Sequence, residues 1–153
     1  MSRAIISLIC MTMSVSPLGK TQELTRRLLR EMYAPTPEGI IGNEDCGQMS
    51  AWYILSSLGF YSVCPGSNEF ALTTPLFDKA VIRLANGKTL SVLANNPEKN
   101  IYINKVELNG EAIEGNFITY EQLMERGRIA FYADRQAGQE PWSFGRVGAL
   151  LLY

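Results

Sequence analysis

No histidine occurs anywhere in the 153 residues. That absence removes Ser-His-Asp and Cys-His nucleophilic catalysis, and it leaves any metal to carboxylates, amides, backbone carbonyls or thiols. The chemistry still open to the chain is carboxylate chemistry. Cysteine is scarce as well: Cys10, Cys46 and Cys64 are an odd number with no C-x-x-C spacing, so neither a zinc knuckle nor a disulfide framework follows. Each reads as a small buried apolar residue. Cys46 adjoins Asp45, whose charge disfavours a thiolate and argues against a nucleophile. There is no excess of positive charge, with 14 basic against 15 acidic residues, so nothing marks a nucleic-acid partner. Long apolar runs are missing too. The stretch from Ala4 to Met13 is too short to span a membrane; it follows one basic residue like a weak secretory signal, lacks an A-x-A site, and reads equally as a buried strand or helix turn.

What remains is the composition of an ordinary folded domain, 46% apolar and 19% charged. A chain of this length buries about 68–70% of its unfolded surface, enough for a core. From Thr21 to Tyr33 the pattern T-Q-E-L-T-R-R-L-L-R-E-M-Y places Leu24, Leu28, Leu29 and Met32 on one stripe of an amphipathic helix, with Arg26, Arg27 and Arg30 mostly on the other faces and Thr21 as the cap. Pro35 and Pro37 end it. The segment G-N-E-D-C-G follows, with two adjacent carboxylates in a turn flanked by Gly42 and Gly47, just ahead of a buried helix Q-M-S-A-W-Y-I-L-S-S-L closed by Gly59. Such a turn can present a carboxylate to a cleft, half of a hydrolytic site. Taken locally, capping of the helix by Asp45 is the simpler reading.

After Gly59 the pattern changes to short alternating runs, E-F-A-L-T, K-A-V-I-R-L, T-L-S-V-L-A and I-Y-I-N-K-V-E-L, which predict an antiparallel sheet. Asn86-Gly87 marks a hairpin and Asn109-Gly110 another turn. Thr119 and Gln122 have capping-box spacing for a short helix, with Ile118 placed to staple onto Leu123, and R-I-A-F-Y-A returns as a strand. The tail, residues 134–153, has no clear periodicity, and no internal repeat occurs.

Three motifs are weaker than they look. S-V-S-P-L-G-K-T, residues 14–21, imitates a phosphate-binding loop but has Ser14 in place of its first glycine and Pro17 in the cradle, with Asp134 the nearest candidate for magnesium. Trp52, Tyr53, Phe60 and Tyr61 could stack on a sugar, yet at this spacing most are core, a binding role being more credible beside the acidic turn. Asn95, Asn96, Asn100 and Asn104 read as turn residues rather than polyol contacts.

The run G-I-I-G-N-E-D-C-G-Q-M-S-A-W-Y-I-L-S-S-L-G-F-Y-S-V-C-P-G-S, followed by P-L-F-D-K-A-V-I-R-L-A-N-G-K, resembles the C-terminal region of glycoside hydrolase family 92. The likeness extends from about Gly19 to about Ala133. It implies descent from calcium-dependent, inverting exo-α-mannosidases built from a β-sandwich and an (α/α)6 barrel, which act on mannose-containing glycans and are usually periplasmic or secreted. It also implies that Asp45 is the general base, with Glu44 and Asn43 orienting the water or the sugar, while the general acid and most calcium ligands lie outside this chain. The expected fold class is then α+β. Residues 1–18 are an unassigned apolar segment, 19–59 the last barrel helices with the acidic turn, 60–133 an antiparallel β module with one short helix, and 134–153 an unassigned tail. Such a fragment is expected to be inactive alone, with the missing part of the enzyme or a second copy as its partner. A non-catalytic carbohydrate-binding or structural β module at residues 69–133 is the reading from a different class, and nucleotide binding through Lys20 comes third.

Overall fold

The computed structural model describes residues 18–64, 66–125 and 127–136. The apolar opening, the first four residues of the phosphate-loop imitation and the tail from residue 137 lie outside them. Helix α1 spans Leu18–Glu31 and α2 spans Gln48–Ser57. Strands β1 (Phe60–Tyr61), β2 (Glu69–Leu72) and β7 (Phe117–Thr119) form one small antiparallel sheet in the order β1-β2-β7. A second sheet has the order β3 (Lys79–Arg83), β4 (Thr89–Ala94), β8 (Gly127–Asp134), β5 (Tyr102–Leu108), β6 (Glu111–Ala112). The short helix α3, Tyr120–Met124, links β7 to β8.

The fold is therefore mixed α and β, but the larger sheet is not the antiparallel one that the alternating runs predict, because β8 runs parallel to β4. Strands β4 and β5 run in opposite directions, and β8 inserts between them after a long connection through β6, β7 and α3. The loop from β4 to β5 must span the inserted strand. Asn95 makes this possible: its Nδ2 donates to the Ala133 carbonyl (3.0 Å) and its Oδ1 accepts the Ala133 N–H (2.8 Å), so a side-chain amide closes the end of the ladder as backbone would. Asn100 Nδ2 donates to the Asn95 carbonyl, and Asn104 Nδ2 to the Asp134 carboxylate, in keeping with structural roles for these asparagines.

Local turn chemistry is where the residues dictate it. Asn109 (φ 55°) and Gly110 (φ 93°) are both left-handed in the two-residue turn from β5 to β6, as a type I′ hairpin demands. The β3–β4 hairpin turns at Asn86-Gly87, Oδ1 of Asn86 accepting the Lys88 N–H. Thr119 Oγ1 accepts from Gln122 N and Gln122 Oε1 from Thr119 N, the reciprocal capping box of α3.

Alternation along the small sheet separates two cores. Phe60, Leu72 and Ile118 point into the main core with Leu90, Val92, Val106, Ile129 and Phe131. Tyr61, Ala71 and Phe117 point the other way, toward Leu29, Met49 and Trp52 of the helices. Helix α2 thus packs on a sheet that is itself packed on a sheet, although its Ile54 is 56% exposed, so the helix is not buried all round.

Helix α1 corrects two expectations. It starts at Leu18, which puts Thr21 inside the helix and not at its cap. The face it buries is Thr21, Gln22, Thr25, Arg26 and Leu29, whereas Leu24 and Leu28 are only half-buried. Arg26, expected on an outer face, is 6% exposed. The reason lies in the neighbours: Arg26 Nη2 donates to the carbonyls of Thr74 (3.2 Å) and Pro75 (2.8 Å), and Gln22 Oε1 accepts the Ile103 N–H (3.1 Å). Backbone groups left open by the sheet and its connection select a polar face over the leucine stripe. Against the expected burial of the cysteines, Cys46 and Cys64 are exposed, the first on a left-handed turn and the second in the loop before β2. Cys10 lies outside the described residues.

Candidate active site

The chain between α1 and α2 is folded tightly back on itself. Tyr33 pairs with Ile40 as an isolated antiparallel bridge, Ala34 N donates to the Gly39 carbonyl (2.8 Å), and Ile41 N to that of Met32 (3.3 Å). A Cβ on Gly39 would sit 1.8 Å from the Ala34 oxygen, so only glycine fits this close approach. The proline loop delivers the acidic turn beside the end of α1.

Within that turn Asp45 (φ 53°), Cys46 (φ 59°) and Gly47 (φ 88°) are three successive left-handed residues. Left-handed backbone at a non-glycine residue is unfavourable, more so for Cys than for Asp, and a run of it persists only where neighbouring contacts enforce it. Glu44 supplies them. Its carbonyl accepts the Met49 N–H (3.2 Å) and its Oε1 accepts the Ser50 N–H (3.1 Å), while the Asp45 carbonyl accepts from Gln48 (3.3 Å). The N-cap position belongs to Gly47, which has no side chain to offer, and Glu44 supplies a carboxylate oxygen to the first turn of α2. Glu44 is half-buried and its second oxygen, Oε2, is enclosed without a partner. Asn43 and Asp45 are exposed on either side of it.

Aromatic rings wall the turn. Tyr33 lies 4.5 Å from Tyr53 between ring centroids, tilted 33°, and 5.9 Å from Trp52, nearly parallel at 19°. Its hydroxyl donates to the Met49 carbonyl (3.0 Å). Burial, and then the charge of Glu44 and the neighbouring Tyr53 and Tyr61, push the Tyr33 pKa up to about 12. Of the four aromatics singled out from the sequence, Trp52 is fully buried under this wall. Phe60 belongs to the other core, edge-on to Phe70 at 6.2 Å. Tyr53 and Tyr61 remain half-buried near the acidic turn. Tyr33 is not among the four, although its position between a leucine-rich helix and two prolines is the available signal: a chain reversed there returns the ring that follows the helix to whatever comes next.

Among the described residues no three of His, Cys, Asp and Glu gather as a metal-binding group. One Glu44 oxygen is committed to the Ser50 N–H. Of the phosphate-loop imitation, the part from Leu18 onward is described. Gly19 to Thr21 lie within α1, Lys20 is paired with Glu23 at 3.0 Å, and the Thr21 hydroxyl is buried.

These features agree with comparisons to known proteins. The model of the glycosyl hydrolase family 92 catalytic domain matches residues 14–134, and the chain belongs to that family. A family 92 α-mannosidase from Bacteroides thetaiotaomicron, also solved in complex with mannoimidazole, is 33% identical with a TM-score of 0.72 over 78% of this chain and 16% of its own. An inverting mannosidase of the same family and species is 37% identical with a TM-score of 0.69, over 82% of this chain and 18% of its own. An uncharacterized secreted glycosidase from Arthroderma benhamiae is 27% identical over 115 residues, which is 72% of this chain and 14% of that protein. The chain thus spans about a sixth of the length of these relatives.

Proposed function

We propose that this chain carries the base side of an inverting exo-α-mannosidase site and corresponds to the end of an (α/α)6 barrel, α1 and α2, with the β module that follows it. The observation that carries the proposal is the acidic turn itself, where Glu44 is bound under the start of α2 and leaves Asp45 exposed on a left-handed backbone. Asp45 is the general base: it takes a proton from a water that attacks the anomeric carbon, while a carboxylic acid on the other face of the sugar protonates the leaving oxygen. An inverting pair stands roughly 6.5–9.5 Å apart to admit the water. Adjacent Glu44 cannot serve as that acid with its carboxylate held on Ser50, so its part is to position the turn, and Asn43 orients the water or the sugar. Relatives described as α-mannosidases and as an inverting mannosidase support this assignment, and a relative described as secreted supports action outside the cytoplasm.

On this reading most ligands of the calcium ion, like the acid, belong to other parts of a complete catalytic domain. The full chain alone is therefore inactive. Incubation of the purified chain with an α-1,2-mannobioside and calcium should release no mannose above the buffer blank. Hydrolysis abolished by Asp45→Ala would overturn the inactivity and keep the base; hydrolysis untouched by Asp45→Ala would overturn the base as well.

A further inference from the structure

The buried face of α1 is short of an acceptor. Thr21, Gln22 and Arg26 are 5%, 4% and 6% exposed, and each has an enclosed polar atom with no hydrogen-bond partner: Thr21 Oγ1, Gln22 Nε2 and Arg26 Nη1. Positions 22 and 26 are one helical turn apart and Thr21 adjoins them, so the three lie on one face of the helix. All three atoms can donate. The acceptors bonded on this face already serve other donors, Gln22 Oε1 the Ile103 N–H and the Thr74 and Pro75 carbonyls Arg26 Nη2, and none of the three atoms has a partner. No ion pair among the described residues involves Arg26, and the charge that acts on it is the like charge of Arg30.

A buried guanidinium without a counter-charge is strongly destabilising, and water can satisfy donors but cannot neutralise it. A carboxylate can do both. Its two oxygens offer about four lone-pair sites, and planar Arg N–H groups bind it with strong, charge-assisted bonds. We propose that the seam between α1 and the β5 side of the sheet is a binding site for one carboxylate, held by Arg26 Nη1, Gln22 Nε2 and Thr21 Oγ1. The site lies on a different helix from the acidic turn and does not depend on mannosidase activity. Two sources share this chemistry, a free small carboxylate and a carboxylate side chain of the polypeptide. Outside the described residues the chain has one acidic side chain, Glu140.

The test is thermal unfolding of the full 153-residue chain in rising sodium acetate against sodium chloride at matched ionic strength. The parent, Arg26→Met, Gln22→Glu and Glu140→Gln are compared. Gln22→Glu keeps the acceptor for Ile103 and builds a counter-charge into the seam. The proposal expects a saturable rise in Tm of roughly 3–5 °C with acetate over chloride, lost in Arg26→Met and in Gln22→Glu, with Gln22→Glu more stable than the parent in chloride. If the rise occurs only in Glu140→Gln, the site stands and its occupant is the chain's own carboxylate. No rise in either the parent or Glu140→Gln overturns the proposal, as does an equal rise in Gln22→Glu. Should Arg26→Met fail to fold, the Gln22→Glu comparison still decides the matter.

Discussion

Replacing Gly59 by alanine strikes the point where α2 stops and the small sheet begins, and the structure separates two contributions to the outcome. Gly59 has φ 97°, a left-handed conformation that costs an L-residue about 1–2 kcal/mol. A Cβ there would also lie 2.8 Å from Pro75 Cγ, 2.8 Å from the Thr73 carbonyl oxygen and 3.1 Å from Phe131 Cζ. Neither a proline ring nor a backbone oxygen gives way easily, so overpacking adds about 1–3 kcal/mol. Gly87 supplies the control. It has φ 77° but nothing within 4 Å of its would-be Cβ, and Gly87→Ala bears only the conformational part. Urea unfolding followed by far-UV circular dichroism should show Gly59→Ala less stable than the parent by about 2–5 kcal/mol and Gly87→Ala by about 1–2 kcal/mol. The slope m should be unchanged. Equal losses in the two variants would refute the steric argument, and with it the close packing of Gly59 against the 73–75 connection and Phe131.

Glu44→Ala should destabilise the chain by about 1–2 kcal/mol, the cost of losing a helix N-terminal acceptor, while Glu44→Gln, which retains an oxygen for the Ser50 N–H, should lose only a few tenths; equal losses in chemical denaturation would show that the bond to Ser50 matters little. The Tyr33 hydroxyl keeps its proton to about pH 12 when folded and to about pH 10 when unfolded. The unfolded chain therefore binds fewer protons in that window, so this contribution is complete below pH 10 and disappears as pH rises through 12, about 1 kcal/mol after solvent screening. Tyr33→Phe should abolish that part of the alkaline loss, measured as the difference between its urea midpoints and those of the parent from pH 9 to 12. Asn95→Ala removes both bonds to Ala133, and amide exchange at Ala133 should accelerate by roughly 10–100-fold, corresponding to about 1–3 kcal/mol; unchanged protection would mean that the end of β8 is held by its flanking strands alone.

How much of this could be read from the sequence depends on how far the cause lies from the effect. Asn109-Gly110 and the Thr119–Gln122 box are local: the residues that need the geometry also supply it, and both stand where the pattern placed them. The side of α1 that is buried is not local. It is set by Ile103, 81 positions from Gln22, and by Thr74 and Pro75, 48 and 49 positions from Arg26, none of which leaves a mark on the helical pattern. A leucine stripe scores well by periodicity whether or not anything packs on it, whereas the value of Gln22 or Arg26 at an interface appears only once the opposing backbone groups are known to be open. The parallel insertion of β8 escaped for the same reason, since alternation reports that a strand has two faces but not which neighbours it has on its edges.

The acidic turn is an intermediate case. Adjacent Glu44 and Asp45 both suit a helix start when read as letters, and the preference of aspartate for such positions gives no hint that Glu44 bonds the first turn. Backbone handedness separates them. With Asp45, Cys46 and Gly47 all left-handed, the chain rises toward α2 in a tight coil that sets the longer Glu44 side chain under the helix, within reach of Ser50, and leaves the shorter Asp45 exposed. An aspartate at position 44 has one methylene fewer with which to reach Ser50. The order Glu-Asp is therefore itself informative, and exchanging the two residues should cost both the Ser50 bond and the exposed position of the base. The double variant Glu44→Asp, Asp45→Glu should unfold at lower urea than the parent. It should also fail to restore mannoside hydrolysis when introduced into a complete family 92 enzyme whose activity depends on the corresponding turn. Full activity of the exchanged pair would show that the two carboxylates are interchangeable, and that the division of labour inferred from the turn is wrong.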